Sequence, residues 1–275
     1  MSELKHLKAV VFDWAGTMID HGSRAPAYVF REIFNRKGIS ISMDQAREPM
    51  GMAKRAHIAT ISKMRPVREQ WLDAFGAECS EQDIDDMYEQ FLPLQKETLK
   101  NHSVLIEGAA KAAARCRELG LKIGSSTGYT RELMVDVKLA AKEQGYEPDI
   151  ALCSEDAPKG RPAPYLLYEA AKQLDVYPMS SIVKVDDTIL GVEAGVNAGC
   201  WSIGITRTGN LLGLSQEEVD NLPVDELENR IAGIGKQCLQ VGAHKVIPSV
   251  TELEHVLLEL DEAIENGESP LHYSF

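Results

Sequence analysis

Cysteine is scarce in this chain of 275 residues, and the five present (Cys79, Cys116, Cys153, Cys200 and Cys238) are widely spaced, with no Cys-x-x-Cys pair. The pattern offers neither a disulfide framework nor a zinc-binding set, and it fits a reducing cytosol. Positive charge is also short: 29 Lys and Arg stand against 42 Asp and Glu, a formal net charge of −13. A nucleic-acid partner is not expected, because affinity for a phosphate backbone comes from clustered Lys and Arg. A small anionic substrate would need cations gathered locally. No uninterrupted apolar run approaches the roughly 20 residues that span a bilayer, and the opening Met1-Ser2-Glu3-Leu4-Lys5 lacks a secretory apolar stretch. The expectation is a cytoplasmic protein with no membrane partner.

Several binding signatures are missing too. The seven histidines contain no His-Glu-x-x-His zinc pair, and there is no dinucleotide fingerprint. Gly233-Ile234-Gly235-Lys236 hints at a phosphate loop, but it lacks the glycine spacing and the following Ser or Thr, and it lies in a helical stretch. Trp14, Trp71 and Trp201 read as packing residues.

What is present is a repeated switch between strand-like and helix-like hydrophobic period. Short apolar runs at 8–13, 122–126, 150–154, 182–186 and 201–205, with a possible edge at 245–247, alternate with helical segments. This predicts an α/β fold, a Rossmann-like parallel sheet covered on both faces. Between the first two strands lie about 100 residues of helical pattern, far more than a crossover needs. Amphipathic spacing appears at 25–37, 54–64, 67–75 and 81–99, the last opened by Ser80 and Asp83 as a cap. We read 22–102 as an inserted helical cap on a core made of 1–21 and 103–275. The tail predicts a capped helix over 249–265 and irregular chain over 266–275.

Ligands in such sheets collect beyond the C-terminal strand ends, and the run Val10-Val11-Phe12 delivers Asp13 there. A carboxylate so placed can attack phosphorus and bind a metal. The most telling absence follows two residues later. Departure of an alkoxide requires a proton donor, and Ala15 is none. Ser125-Ser126-Thr127-Gly128, Gly160-Arg161-Pro162-Ala163-Pro164 and Val183-Lys184-Val185-Asp186-Asp187-Thr188 add a hydroxyl, a fixed cation and paired carboxylates at further strand ends or turns.

These four segments, in this order, resemble the motifs of the haloacid dehalogenase superfamily. Asp13-Trp14-Ala15-Gly16-Thr17, with Pro49-Met50-Gly51-Met52-Ala53-Lys54-Arg55-Ala56-His57, resembles its phosphonatase branch, and the likeness covers nearly the whole chain. The resemblance implies hydrolysis of a P–C bond, with Lys54 forming a Schiff base and Asp13 accepting the phosphoryl group. It implies Mg²⁺ held by Asp13, the Ala15 carbonyl and Asp187, and phosphonate oxygens bound by Thr127 and Arg161. Met50, Gly51 and Tyr129 become pocket residues by resemblance alone, and a homodimer through the cap helices is implied as well.

The chemistry agrees. Cleaving P–C expels a carbanion, which needs an electron sink rather than a proton donor at oxygen, and a protonated imine on Lys54 would accept the pair. A helix start, desolvation and the neighbouring Arg55 would each depress the Lys54 ammonium. His57, three residues on, lies on the same helical face and can move protons. Asp186 is expected to act through water or its neighbours rather than touch the metal. Ser23 stands where relatives often carry Cys, and Gly191 where some carry another Asp, which would leave fewer carboxylates near the metal. Two other readings remain: a Mg²⁺-dependent phosphatase or mutase acting on phosphate esters, and a non-catalytic superfamily member.

Overall fold

Four consecutive apolar residues with no polar side form β1 (Ala9–Phe12), fully buried between layers of helix. The computed structural model describes residues 3–273. After β1 the chain makes α1 (Arg24–Arg36), α2 (Met43–Arg47), α3 (Lys54–Lys63), α4 (Arg65–Phe75) and α5 (Glu81–Leu99), then returns through α6 (Ala109–Glu118) to β2 (Lys122–Ser126). From there helix and strand alternate: α7 (Arg131–Glu143), β3 (Ile150–Leu152), α8 (Tyr165–Leu174), β4 (Ile182–Asp186), α9 (Ile189–Ala198) and β5 (Trp201–Ile205). The chain closes with α10 (Gln216–Asp220), α11 (Val224–Gln240), β6 (Lys245–Ile247) and α12 (Leu253–Glu265).

The strands form one sheet of order β3-β2-β1-β4-β5-β6, every described pair parallel. Lying centrally, β1 pairs Phe12 with Ser125 on one side and with Val185 on the other. That register sets the residues just past β1, β2 and β4 side by side at one sheet edge. The expected strands and long helices are therefore present, with ends shifted by a residue or two. The short α2 was not foreseen; five residues are too few to show a period, and its sequence signal is the Ser42/Gln45 capping box. The predicted Ser80/Asp83 cap is formed. In the tail, Ser249 caps a 3₁₀ turn that leads into α12, and 266–273 is irregular; the last two residues of that stretch lie outside the described residues.

The five helices inserted after β1 have an apolar core of their own. Phe30, Phe34, Ile58, Ile61, Trp71 and Phe91 all belong to one buried cluster separate from those flanking the sheet. Phe30 and Phe91 meet with ring centroids 4.6 Å apart. The insertion is thus a packed helical cap rather than a long loop. Pro93 lies inside α5, and α5 continues past it to Leu99, where the chain re-enters the core. Among the described residues, no helix is long and apolar enough to cross a membrane. Phe91 is wholly buried, so Phe91→Ala should cost about 3–5 kcal/mol, read as a lowered urea midpoint that the cap shares.

Candidate active site

Asp13 follows β1, Thr127 follows β2, Asp186 ends β4 and Asp187 comes next, so the sheet register alone brings them to one place. The loop before α8 adds Arg161, and the helical insertion adds Met50, Gly51 and Lys54. Its loop Met50-Gly51-Met52 lies against the core backbone: a Cβ on Gly128 would stand 2.6 Å from the Met52 carbonyl, and one on Gly51 2.7 Å from Thr188 Oγ1. Gly51 also has φ +97°, a conformation in which a side chain is strained. The two glycines let cap and core close over a cavity of about 20 Å³. That space is about the size of one water molecule.

Asp13, Ala15, Lys54, Thr127, Arg161, Met50, Gly51 and Tyr129 all line this cavity. Trp14 points away into packing, its indole N–H donating to Ser125 Oγ at 2.9 Å. The Thr127 hydroxyl accepts from the Tyr129 amide at 3.1 Å, leaving its proton free to donate. The Tyr129 ring is buried against Lys54, whose Nζ stands 4.8 Å from the ring centroid.

Lys54, the first residue of α3, is 4% exposed. Burial, reinforced by Arg161 and opposed by Asp13 and Asp187, lowers its pKa to about 7. The expected contribution of Arg55 is corrected here. That guanidinium turns outward to Asp85 at 2.6 Å and Glu81 at 2.8 Å, and the cation acting on Lys54 is Arg161.

His57 sits one turn further on, its ring stacked on Phe30 at 3.7 Å between centroids. Its Nε2 lies 2.9 Å from the Ala46 carbonyl. A carbonyl only accepts, so Nε2 carries the proton and Nδ1 presents a lone pair, which has no hydrogen-bond partner. Burial, then the charge of Lys54, holds the imidazole well below its ordinary pKa, so it is neutral.

Beneath the cavity the charges alternate. Arg161 Nη1 lies 2.7 Å from Asp13 Oδ1 and 3.2 Å from Asp186 Oδ2, and Lys184 Nζ is 2.8 Å from the same Asp186 oxygen. The other Asp186 oxygen accepts from the Thr188 amide at 3.0 Å and hydroxyl at 2.8 Å. Burial alone would raise Asp186, but Arg161 and Lys184 outweigh it and hold the carboxylate below its usual range. Asp187 keeps only the Asn210 amide at 2.7 Å and a long 3.5 Å contact from Thr17. Burial, then the Asp13 and Asp186 charges, pushes it well up. Lys184, Ser126, Thr188 and Asn210 had not been assigned from sequence. A lysine inside the apolar strand Ile182-Val183-Lys184-Val185 was the available signal.

One oxygen from each of Asp13, Asp186 and Asp187 falls within 4.8 Å of the others. Asp186 is already occupied by two cations and two donors. Burial raises Asp13 against the pull of Arg161, with the Asp186 charge adding to the rise, and burial followed by the Asp13 and Asp186 charges raises Asp187. An all-oxygen set of three buried carboxylates fits a hard divalent cation.

The reading of Gly191 as a lost carboxylate also needs correction. A Cβ there would stand 2.0–2.1 Å from the Asp186 carboxylate, so the space beside Gly191 is filled by Asp186 itself. Gly191→Asp should therefore destabilise the protein by about 1–3 kcal/mol through overpacking. Gly191→Ala, which adds only the Cβ, should lose stability in the same direction, as thermal melts of the two variants against wild type will show. Wild-type melting of both would contradict the crowding against Asp186.

The sequence profile of the haloacid dehalogenase-like hydrolases matches residues 7–199. The chain belongs to this hydrolase family. It is 40% identical over 267 residues to the phosphonoacetaldehyde hydrolase of Paraburkholderia phytofirmans, covering 97% of this chain and 100% of the relative. It is also 40% identical over 256 residues to that of Bacillus cereus (strain G9842), covering 93% and 97%. The crystal structure of a phosphonoacetaldehyde hydrolase-like protein from Oleispira antarctica superposes with TM-score 0.95 at 36% identity, covering 98% of each chain. Within the hydrolases, the chain is a member of the phosphonoacetaldehyde hydrolase family.

Proposed function

We propose that this enzyme hydrolyses the P–C bond of phosphonoacetaldehyde to acetaldehyde and phosphate. The observation carrying the reading is one closed cavity that holds a buried lysine with pKa about 7, the Asp13 carboxylate and the methyl of Ala15. An amine of which about half is unprotonated near neutrality attacks aldehydes; a carboxylate beside Arg161 attacks phosphorus; and nothing at position 15 serves an alkoxide leaving group.

The Lys54 amine adds to the aldehyde carbon, and loss of water leaves a protonated imine. His57 Nδ1, with its lone pair free, is the base that carries protons during addition and dehydration. Asp13 then attacks phosphorus. As the P–O bond forms and P–C breaks, the carbon electron pair moves into the imine to give an enamine, and Asp13 carries the phosphoryl group. Protonation of the enamine at carbon and hydrolysis of the imine release acetaldehyde and return Lys54. A second water cleaves the aspartyl phosphate. Thr127 and Arg161 bind phosphonate oxygens, Arg161 through charge-assisted bonds that replace part of its contact with Asp13. Met50, Gly51 and Tyr129 wall the aldehyde side. Mg²⁺, held by Asp13, Asp187 and the Ala15 carbonyl, would neutralise charge on the transferring phosphoryl group. Asp186 holds Arg161 and Lys184 in place.

We further propose that 22–102 is the moving cap and 1–21 with 103–275 the core, that two copies associate through cap helices, and that the enzyme works in the cytoplasm on a small phosphonate. A phosphate-ester hydrolase would call for an acid at position 15, and Ala15 is none.

Borohydride reduction during turnover should place an ethyl or phosphonoethyl adduct on Lys54, located by peptide mass. Lys54→Arg should lose the adduct and at least 10³-fold of phosphate release, and Asp13→Ala should keep trapping while losing release. Acid inhibits imine formation because the amine must be free. Trapping should therefore rise through pH 7 and level off above it; a midpoint near 10 would mean that Lys54 is solvated and the reading fails. Between about 7 and 10.5 the unfolded chain binds the lysine proton and the native one does not, so this group's contribution to stability grows with pH across that window.

A further inference from the structure

Arg47, at the end of the short helix α2, joins three separate segments of the chain. Its Nη1 donates to the Gly22 carbonyl at 2.7 Å and the Ser23 carbonyl at 3.3 Å, in the segment that leaves the core for the cap. The same nitrogen reaches Asn210, at 3.1 Å from Oδ1 and 3.3 Å from the backbone carbonyl, and Nη2 donates to the Gly213 carbonyl at 3.0 Å. Asn210 answers through its amide nitrogen, 3.3 Å from the Arg47 carbonyl. All the acceptors are neutral. The guanidinium lies over Gly213, where a Cβ would stand 2.8 Å from Cζ, so the core loop is shaped to receive it.

Asn210 is the residue whose backbone N–H holds Asp187 Oδ2 at 2.7 Å. The preceding residue of α2, Ala46, supplies the carbonyl that fixes the His57 ring. One turn of cap helix therefore holds the lysine side of the site through Ala46 and reaches the carboxylate side through Arg47 and Asn210. A planar fork of donors is needed to serve acceptors on both linker and loop, which an ammonium cannot match.

We propose that Arg47 is a positioning residue that couples seating of the cap to the geometry of Asp187, through Asn210. With the cap seated, Arg47 pins the loop that presents the Asn210 amide, and Asp187 is aimed into the site. With the cap lifted, α2 withdraws the guanidinium, the loop loses its clamp, and Asp187 loses its fixed orientation. Coupling of this kind is reciprocal: a cation on Asp187 favours the seated cap, and the seated cap favours the cation. The inference rests on the functional reading only in taking Asp187 as a cation ligand; it does not depend on the substrate.

The test is binding of Mn²⁺ to the full-length protein, followed through the electron paramagnetic resonance signal of the free ion. Wild type, Arg47→Lys, Arg47→Met and Asn210→Ala are compared, with melting curves to establish folding. Arg47→Met and Asn210→Ala should each weaken Mn²⁺ by about tenfold, the size typical of groups that orient metal ligands, with Arg47→Lys between them and wild type. Wild-type affinity in folded Arg47→Met and Asn210→Ala would overturn the coupling, as would a wild type that binds no Mn²⁺. Should Arg47→Met fail to fold, Asn210→Ala and Arg47→Lys decide by the same criterion. An active site that ignores phosphonoacetaldehyde yet shows the Mn²⁺ pattern would sink the substrate assignment and leave the coupling standing.

Discussion

The desolvated chain of charges running from Asp13 through Arg161 and Asp186 to Lys184 is the interaction on which the rest of this molecule depends. Ions taken out of water cost several kcal/mol each, and only close pairing with satisfied hydrogen bonds offsets that. Here the signs alternate, and the remaining valences go to Ser126, Thr188 and the backbone. The small residues around it follow from the same demand. Gly16 would set a Cβ 2.0 Å from Asp187, and Gly191 leaves the volume that Asp186 occupies. Such a row cannot be loosened at one member without stranding the next, which makes the sheet edge a rigid floor for chemistry.

The two reactive groups belong to different parts of the chain. Asp13 is fixed by the sheet, whereas Lys54 arrives with the cap, and its loss of basicity is a product of burial between them. The amine's character thus follows cap position. Exposed to water it would be an ordinary ammonium, whereas burial beside Arg161 lowers its pKa to about 7. In the reaction we propose, free amine is therefore available where cap and core enclose it.

Much of this was legible in the order of residues. Apolar runs of four or five, each ending in a polar residue, announced a parallel sheet and its active edge. The excess of helix between 22 and 102 announced the cap. The cavity brings together Asp13, Ala15, Lys54, Thr127, Arg161, Met50, Gly51 and Tyr129, with His57 behind Lys54 and Asp187 below. What was illegible depends on direction rather than identity. Whether Arg55 or Arg161 faces Lys54 is decided by helix azimuth and by the acids of α5, and no spacing rule states it. Lys184 looked like an interruption in a strand until Asp186 was placed beside it. Arg47 sits in a helix too short for periodicity, and its partners Asn210 and Gly213 lie more than 160 residues away.

The position of the cap in the chain bears on how the protein is made. The central strand β1 is translated first, yet its sheet partners are β2, beginning at Lys122, and β4, beginning at Ile182. Between them comes a unit whose apolar cluster is drawn from residues 27–91, all of it within the span that separates β1 from β2. Local contacts form early, while parallel pairing across a long loop forms late. On the ribosome the cap can condense while β1 waits without neighbours, and its condensation shortens the loop that β1 and β2 must close. The segment that later covers the reaction would first act as the clasp that brings the founding strands together.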